Sequence, residues 1–483
     1  MTDHNSSSSD QDGHKDGHKD GHKDDHKDDH KDSNSINTKL QQCLQQLLAD
    51  LQLDDAPAGG SLVVYQAGKC IAQASIGMAQ AELPWQTDTL SLNFSTGKGV
   101  LATLVHVLVT QQLLDYDLPI ASYWPAFAAN GKADITLRGV MSHQAGLFAI
   151  TTIDADNETL VDWDKMVAKV AAMPTAQAHN SGSYVSAYSA LVYGWVLGGL
   201  IEQVTDMSLA SALRHYLTEP LGIADSCYFG VPINKVQQLA KPVKNFSVKK
   251  IETSEQDRPQ LHGKRHKPVL KADSAQTLDT YAKLPSYHCW QQLATDQKLT
   301  PENTRLSATQ INRLYFDHSK LNLNNYKAAL IPTSKQPIDY YSAEALQAVI
   351  PAVNGVASAQ ALATIYAMLA NGGEWQGQTL IDTATFAQLS TVQGSGMDAV
   401  MPTNMEWRLG YHRLLQLCAE RTQDEATKVS DRGFGHMGYN GSVAWCDPAQ
   451  QLSFAFVHNF DVTMLNDIRQ FALTEALLAL IDV

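Results

Sequence analysis

The chain has 483 residues and a formal net charge of -14. A surplus of acid repels phosphate backbones, which argues against nucleic acid as a partner, and no stretch approaches the ~20 consecutive apolar residues of a membrane-crossing helix. With 44% apolar and 18% charged residues, the composition is that of a globular chain with core enough for two or three domains.

Residues 1–35 are of low complexity. From His14 to Asp32 the unit His-Lys-Asp recurs every four residues. The imidazoles of His14, His18, His22, His26 and His30 are of a kind that gathers Zn or Ni. The intervening Gly and paired Asp oppose the helix that would align them, so a solvated, disordered tail is expected. The segment has neither the basic start nor the apolar run of a secretory signal. Cysteines at 43, 70, 227, 289, 418 and 446 show neither metal-ligand spacing nor a disulfide framework, and read as mostly buried thiols of a reducing compartment. Together these features predict a cytoplasmic protein.

From Ile36 the pattern turns helical: Ile36, Leu40, Cys43, Leu44, Leu47, Leu48 and Leu51 share one face, with Ser35 or Asn37 available as cap. Leu62-Val63-Val64-Tyr65, a turn at Ala67-Gly68 and Cys70-Ile71-Ala72 read as a hairpin. Apolar helices are predicted from Thr96 to Leu114 and from Ala190 to Val204. Between Lys241 and Asp273 there are nine Lys plus Arg against four Asp plus Glu. The stretch 241–286 therefore reads as a polar insertion over the surface. A helix from Ala357 to Leu369 stops at Asn371-Gly372-Gly373. Strands over Ser442–Cys446 and Leu452–Val457 flank a turn at Asp447-Pro448, and a helix from Thr463 to Ile481 closes the chain. Strands at both ends with helices between predict an α/β (α+β) fold. An antiparallel sheet from residues 36–115 and 340–483 is flanked by helices, with a mostly helical domain over 116–339 inserted.

Three segments carry chemistry. In Phe94-Ser95-Thr96-Gly97-Lys98, a helix starting after Ser95 places Lys98 one turn on, on the same face. An amine there can take the proton that keeps a serine hydroxyl a poor nucleophile, if burial holds it neutral. Ser247-Val248-Lys249-Lys250 has the same spacing but no apolar helix behind it. Tyr188, ahead of the second apolar helix, supplies a phenol that can pass the proton on; Tyr184 and Tyr193 read as packing residues. In Gly435-His436-Met437-Gly438-Tyr439-Asn440-Gly441-Ser442, the glycines let backbone approach a bound acyl group. The N–H groups of Tyr439, after Gly438, and of Ser95 can form an oxyanion hole. His436 can hydrogen-bond the ester or a carboxylate.

These segments, together with Leu137–Leu147, which contains Ser142-His143-Gln144-Ala145-Gly146-Leu147, and Ile350–Val356, resemble the serine beta-lactamase-like superfamily: class C beta-lactamases, penicillin-binding DD-peptidases and family VIII carboxylesterases. The resemblance runs from about Leu62 to the C-terminus. It implies the beta-lactamase/transpeptidase-like fold, Ser95 as acylated nucleophile, Lys98 as its base and Tyr188 as the catalytic tyrosine. Two positions depart from class C. Ala190 stands third where Tyr-x-Asn has Asn, and His436-Met437-Gly438 replaces Lys-Thr-Gly, so groups that hold the amide and carboxylate of a beta-lactam are lost. The pattern is similar to the esterase branch. A carboxylesterase for small or short-acyl esters, with no cofactor, is the expectation. A beta-lactamase or D-amino-acid peptidase is the alternative within the superfamily, and a non-catalytic metal-binding or scaffolding protein the alternative outside it.

Overall fold

The computed structural model describes residues 29–54, 58–244, 246–247, 269–270, 272–301, 303–334, 336–418 and 433–481. Its main strands are β1 (Gly60–Gln66), β2 (Lys69–Ile76), β3 (Ser91–Phe94), β4 (Cys227–Tyr228), β5 (Gly355–Ala357), β6 (His412–Arg413), β7 (Phe434–Met437), β8 (Val443–Asp447) and β9 (Leu452–His458). Five helices frame them: α1 (Asp29–Asp50), α2 (Thr96–Thr110), α3 (Val192–Thr205), α4 (Ala359–Ala370) and α5 (Arg469–Ile481).

The six-stranded sheet has the order β6-β7-β8-β9-β1-β2, every pairing antiparallel. β1 lies between β2 and β9, in register from Gly60 opposite His458 to Gln66 opposite Leu452. The first strands of the chain are thus zipped to its last, as the distribution of apolar runs predicts. β1 is apolar without alternation because both its faces are buried. Val63 and Tyr65 join the core beneath α2, α3 and α4, whereas Leu62 and Val64 join the core beneath α1 and α5. A small second sheet, β3-β5-β4, leads into α2. Between Ile120 and Leu330 the chain is mainly helical, with only two-residue strands among the described residues.

Several elements differ from the sequence expectations. The backbone of α1 begins at Asp29, so residues 29–35 are helical although composition assigns them to the tail. Once an amphipathic helix is nucleated, each further residue adds a hydrogen bond at little cost. His14, His18, His22 and His26 lie outside the described residues. Within 241–286, Ala275–Tyr281 is a helix capped by Ser274. The final helix starts at Arg469 rather than Thr463, because Met464 N–H is held by the Tyr439 carbonyl at 2.6 Å. The reading of the cysteines as mostly buried thiols needs correction. Cys289 and Cys418 form a disulfide across 129 residues of chain, Cys70 is exposed, and only Cys227 and Cys446 are buried free thiols. No helix among the described residues is long and apolar enough to cross a membrane.

Leu62 is fully buried at the centre of this arrangement. Leu62→Ala is expected to destabilise the fold by about 2–5 kcal/mol, read from the midpoint of denaturant unfolding.

Candidate active site

Ser95 sits where β3 ends and α2 begins. The turn is tight enough that Phe94 adopts φ 50°, a conformation that stores strain and persists where its surroundings over-determine it. Here Phe94 is clamped by the rings of Tyr341 at 5.9 Å and Tyr439 at 5.8 Å. Ser95 makes no capping bond to its helix, which leaves its hydroxyl available for other partners. Its Oγ donates to the Ala352 carbonyl at 3.2 Å and lies 2.8 Å from Lys98 Nζ. Lys98 Nζ in turn donates to the Ala352 carbonyl at 2.6 Å.

Lys98 is sealed from water. Burial, with no carboxylate paired to it among the described residues, pushes its amine well below the usual lysine range. A neutral amine has a lone pair, and the Ala352 carbonyl directs one of its N–H bonds away from Ser95. In the structure the amine donates to Oγ; once the hydroxyl turns from the Ala352 carbonyl toward Nζ, the lone pair can accept its proton. The helix start of α2 adds partial positive charge at Ser95.

Tyr188 completes the group. Its hydroxyl is hydrogen-bonded to the Ser95 side chain, and burial keeps its phenol protonated far above the usual range. Lys98 Nζ stands 5.1 Å from the centre of its ring. The ring lies on Trp407, nearly parallel at 12° with centroids 5.4 Å apart, and meets His143 edge-on at 5.0 Å. Tyr193 is a buried core residue on α3, whereas Tyr184 is half-buried.

The end of β7 closes the site from the other side. A Cβ on Gly438 would stand 2.2 Å from the Asn93 carbonyl. Only glycine lets this strand end lie against the chain two residues before Ser95, and the next residue, Tyr439, lines the same cavity as the serine. Asn440 Nδ2 donates to the Leu92 carbonyl at 3.3 Å, and Thr96 Oγ1 to the Ser442 carbonyl at 3.0 Å. These bonds stitch the two segments together. His436 is buried and held neutral by desolvation. The Met437 carbonyl, 3.0 Å from its Nδ1, assigns the proton to that nitrogen. Its Nε2 is then an acceptor, with no hydrogen-bond partner among the described residues. His412 is fixed in the same tautomer: Nδ1 faces the Arg413 carbonyl at 2.7 Å and Nε2 accepts from Met437 N–H at 3.0 Å.

Over Ser95 opens a cavity of about 420 Å³. Its walls are Tyr188, Trp407, Met401, Met405 and Met437 on one side, with Tyr326, Leu330, Ile331 and the run Ile338–Tyr341 on the other. Tyr326 and Tyr439 are hydrogen-bonded through their hydroxyls. The polar stretch 241–286 contributes no described residue to these walls; residues 326–341 do. Among the described residues, no group of three His, Cys, Asp or Glu is placed to hold a metal ion.

All three motifs therefore converge: Ser95, Tyr188, His436 and Tyr439 line one cleft, with Lys98 buried behind Ser95 and Gly438 packed on the Asn93 carbonyl. Of the second Ser-x-x-Lys, Val248, Lys249 and Lys250 lie outside the described residues. Sequence reasoning misses Trp407, His412 and Asp398, whose carboxylate accepts from Tyr188 N–H at 3.3 Å. It also gives Ala352 no role, although the run Ile350–Val356 is a recognisable motif.

The sequence profile of the beta-lactamase family matches residues 40–478. The chain belongs to the beta-lactamase family. Within that family it is 30% identical over 407 residues to the esterase/beta-lactamase LipL of Mycobacterium tuberculosis, covering 83% of this chain and 77% of that protein. Among solved structures, a penicillin-binding protein homologue from Caulobacter crescentus superposes with a TM-score of 0.65 at 26% identity, over 93% of this chain and 98% of the other. A family VIII carboxylesterase gives 0.66 at 24% identity, over 92% and 97%, a likeness of fold. This beta-lactamase-family chain is accordingly a serine hydrolase, with the mixed helix and antiparallel-sheet fold that its motifs predict.

The burial of Lys98 has a consequence for stability. Burial depresses its folded-state pKa, so between the folded and the unfolded values the unfolded chain holds a proton that the folded chain releases, and folding carries that cost below the unfolded value. The cost shrinks as pH rises toward the unfolded value of about 10.4. Lys98→Met is expected to raise the melting temperature at pH 7, with the gain diminishing by pH 9 to 10. A fall in melting temperature at pH 7 would mean that the amine is charged and paired in the fold.

Proposed function

We propose that the protein is a carboxylesterase that works through an acyl-enzyme on Ser95. Lys98 takes the hydroxyl proton, and Oγ attacks the ester carbonyl. The backbone N–H groups of Ser95 and Tyr439 receive the developing oxyanion. Tyr188 relays the proton to the departing alcohol. Water then enters by the same route, and the acid leaves.

The observation that carries this reading is the character of the cavity over Ser95. Asp339 is the one charged side chain among its described lining residues, and no Lys or Arg lines it. An anionic beta-lactam or a peptide carboxylate would find no cation there, and neutral His436 offers an acceptor in place of a positive charge. An uncharged acyl group meets Tyr, Trp, Met, Leu and Ile. The volume is within the range of pockets that enclose drug-sized ligands, so the acyl group accepted extends beyond the shortest esters.

The beta-lactamase reading keeps one support, the relative whose name joins both activities. A D-amino-acid peptidase has the same missing cation against it. The non-catalytic alternative has against it the assembled Ser95, Lys98 and Tyr188. We further propose the two-part division, a sheet unit from 36–115 and 340–483 and a helical unit from 116–339; it puts Ser95 and Lys98 on the first and Tyr188 on the second. A cytoplasmic location has the Cys289–Cys418 bridge against it, because such bonds persist in oxidising compartments.

Two measurements test the reading. A fluorophosphonate is expected to add once to the intact chain and to map to Ser95, with Ser95→Ala unlabelled and inactive. Turnover of p-nitrophenyl esters is expected to exceed that of nitrocefin, with Lys98→Ala almost inactive and Tyr188→Phe slower by about 10²–10⁴. Faster nitrocefin turnover would reverse the assignment of substrate, and His436→Ala with unchanged ester preference would remove His436 from substrate binding.

A further inference from the structure

Asp398 belongs to none of the three motifs, and it does not line the cavity over Ser95. It is 2% exposed, and among the described residues no Lys or Arg pairs with it. Its two oxygens instead collect five donors. Oδ1 accepts from the backbone N–H groups of Tyr188 at 3.3 Å, Val400 at 2.8 Å and Met401 at 2.9 Å. Oδ2 accepts from the Ser186 hydroxyl at 2.6 Å and from the Trp407 indole N–H at 3.1 Å. Alongside, Val185 N–H reaches the Met397 carbonyl at 3.1 Å, and Ala399 N–H the Ser186 carbonyl at 2.9 Å.

Three of those five partners bear on one side chain. Ser186 and Tyr188 are the stretch of chain that carries the phenol. Trp407 is the surface on which the phenol ring lies, 5.4 Å away and nearly parallel. Burying a carboxylate without a cation is costly, and an apolar residue of similar size would fill the space more cheaply. What the carboxylate adds is five acceptor bonds converging on one point, each charge-assisted and therefore stiff.

Building on the catalytic reading of Tyr188 above, we infer that Asp398 is a positioning residue for Tyr188. It binds the main chain beneath the phenol and the indole beside it, and so holds the hydroxyl at Ser95 and Lys98. Its effect on the reaction passes through Tyr188 and not through the ester.

A double-mutant cycle on the full chain tests this. Asp398→Asn keeps the volume but turns one oxygen into an NH2 that cannot accept. With p-nitrophenyl butyrate as substrate, Asp398→Asn is expected to lower kcat by about 10²-fold, the scale of a misplaced catalytic group. KM should stay within about threefold, since Asp398 does not itself line the cavity and Asn keeps its volume beneath Trp407 and Met401. In a Tyr188→Phe background most of that loss should vanish, because the hydroxyl being positioned is gone. Losses that multiply in the double variant would overturn the proposal, since they would show that Asp398 supports the fold at large. Tyr188→Phe with undiminished kcat would instead sink the catalytic reading of Tyr188, so the two failures are distinguishable. If Asp398→Asn does not fold, Ser186→Ala removes one of the five donors; it should lower kcat by about tenfold, again only while Tyr188 is present. A Ser186→Ala enzyme with full kcat would overturn the proposal as well.

Discussion

A lysine amine with no access to water, 2.8 Å from a serine hydroxyl, is the constraint on which the site depends. A charged ammonium could not stay there unpaired, and a carboxylate brought in to pair it would keep it charged. The neighbourhood avoids both outcomes. The groups around Lys98 are a backbone carbonyl, a phenol and neutral imidazoles. His143 and His436 are themselves deprotonated by the same dry surroundings. Among the described residues, the buried acid that bonds to Tyr188, Asp398, spends its oxygens on backbone and side-chain donors.

The scaffold follows from that need for dryness. α2 is buried along nearly its whole length, because α3, α4 and the sheet enclose it. Its first turn can then present Ser95 to the cavity while Lys98, three residues on, points into the protein. Glycine at 438 lets the far strand approach closely enough to form the opposite wall. The apolar cavity continues the same environment outward. A substrate that fills it would exclude water from the serine hydroxyl as well.

Much of this was legible in the chain. Ser95 and Lys98 are related by helical spacing, a local rule that needs no tertiary knowledge, and the apolar run behind them marks the helix as buried. Tyr188 and His436 came from motif resemblance, and both entered the cleft. The hairpin and the C-terminal strands were readable because β1 and β9 carry unbroken apolar runs. What escaped depends on packing between distant segments. Trp407 and Asp398 lie more than two hundred residues from Tyr188 in sequence and have no periodic signal of their own. The Cys289–Cys418 bond spans 129 residues, a pairing that spacing cannot suggest. Ala275–Tyr281 is seven residues long, too short for a helical period to stand out from a polar stretch.

The sheet is completed when β9 slots between β1 and β8, and that has a bearing on how the protein is made. On the ribosome, β1 and Ser95 emerge early and then wait for the far end of the chain, on the order of tens of seconds at ordinary rates of synthesis. Throughout that interval one edge of β1 is unpaired and the amine at 98 remains wet and charged. The dry setting of that amine is thus a property of the assembled sheet and not of the segment that carries it.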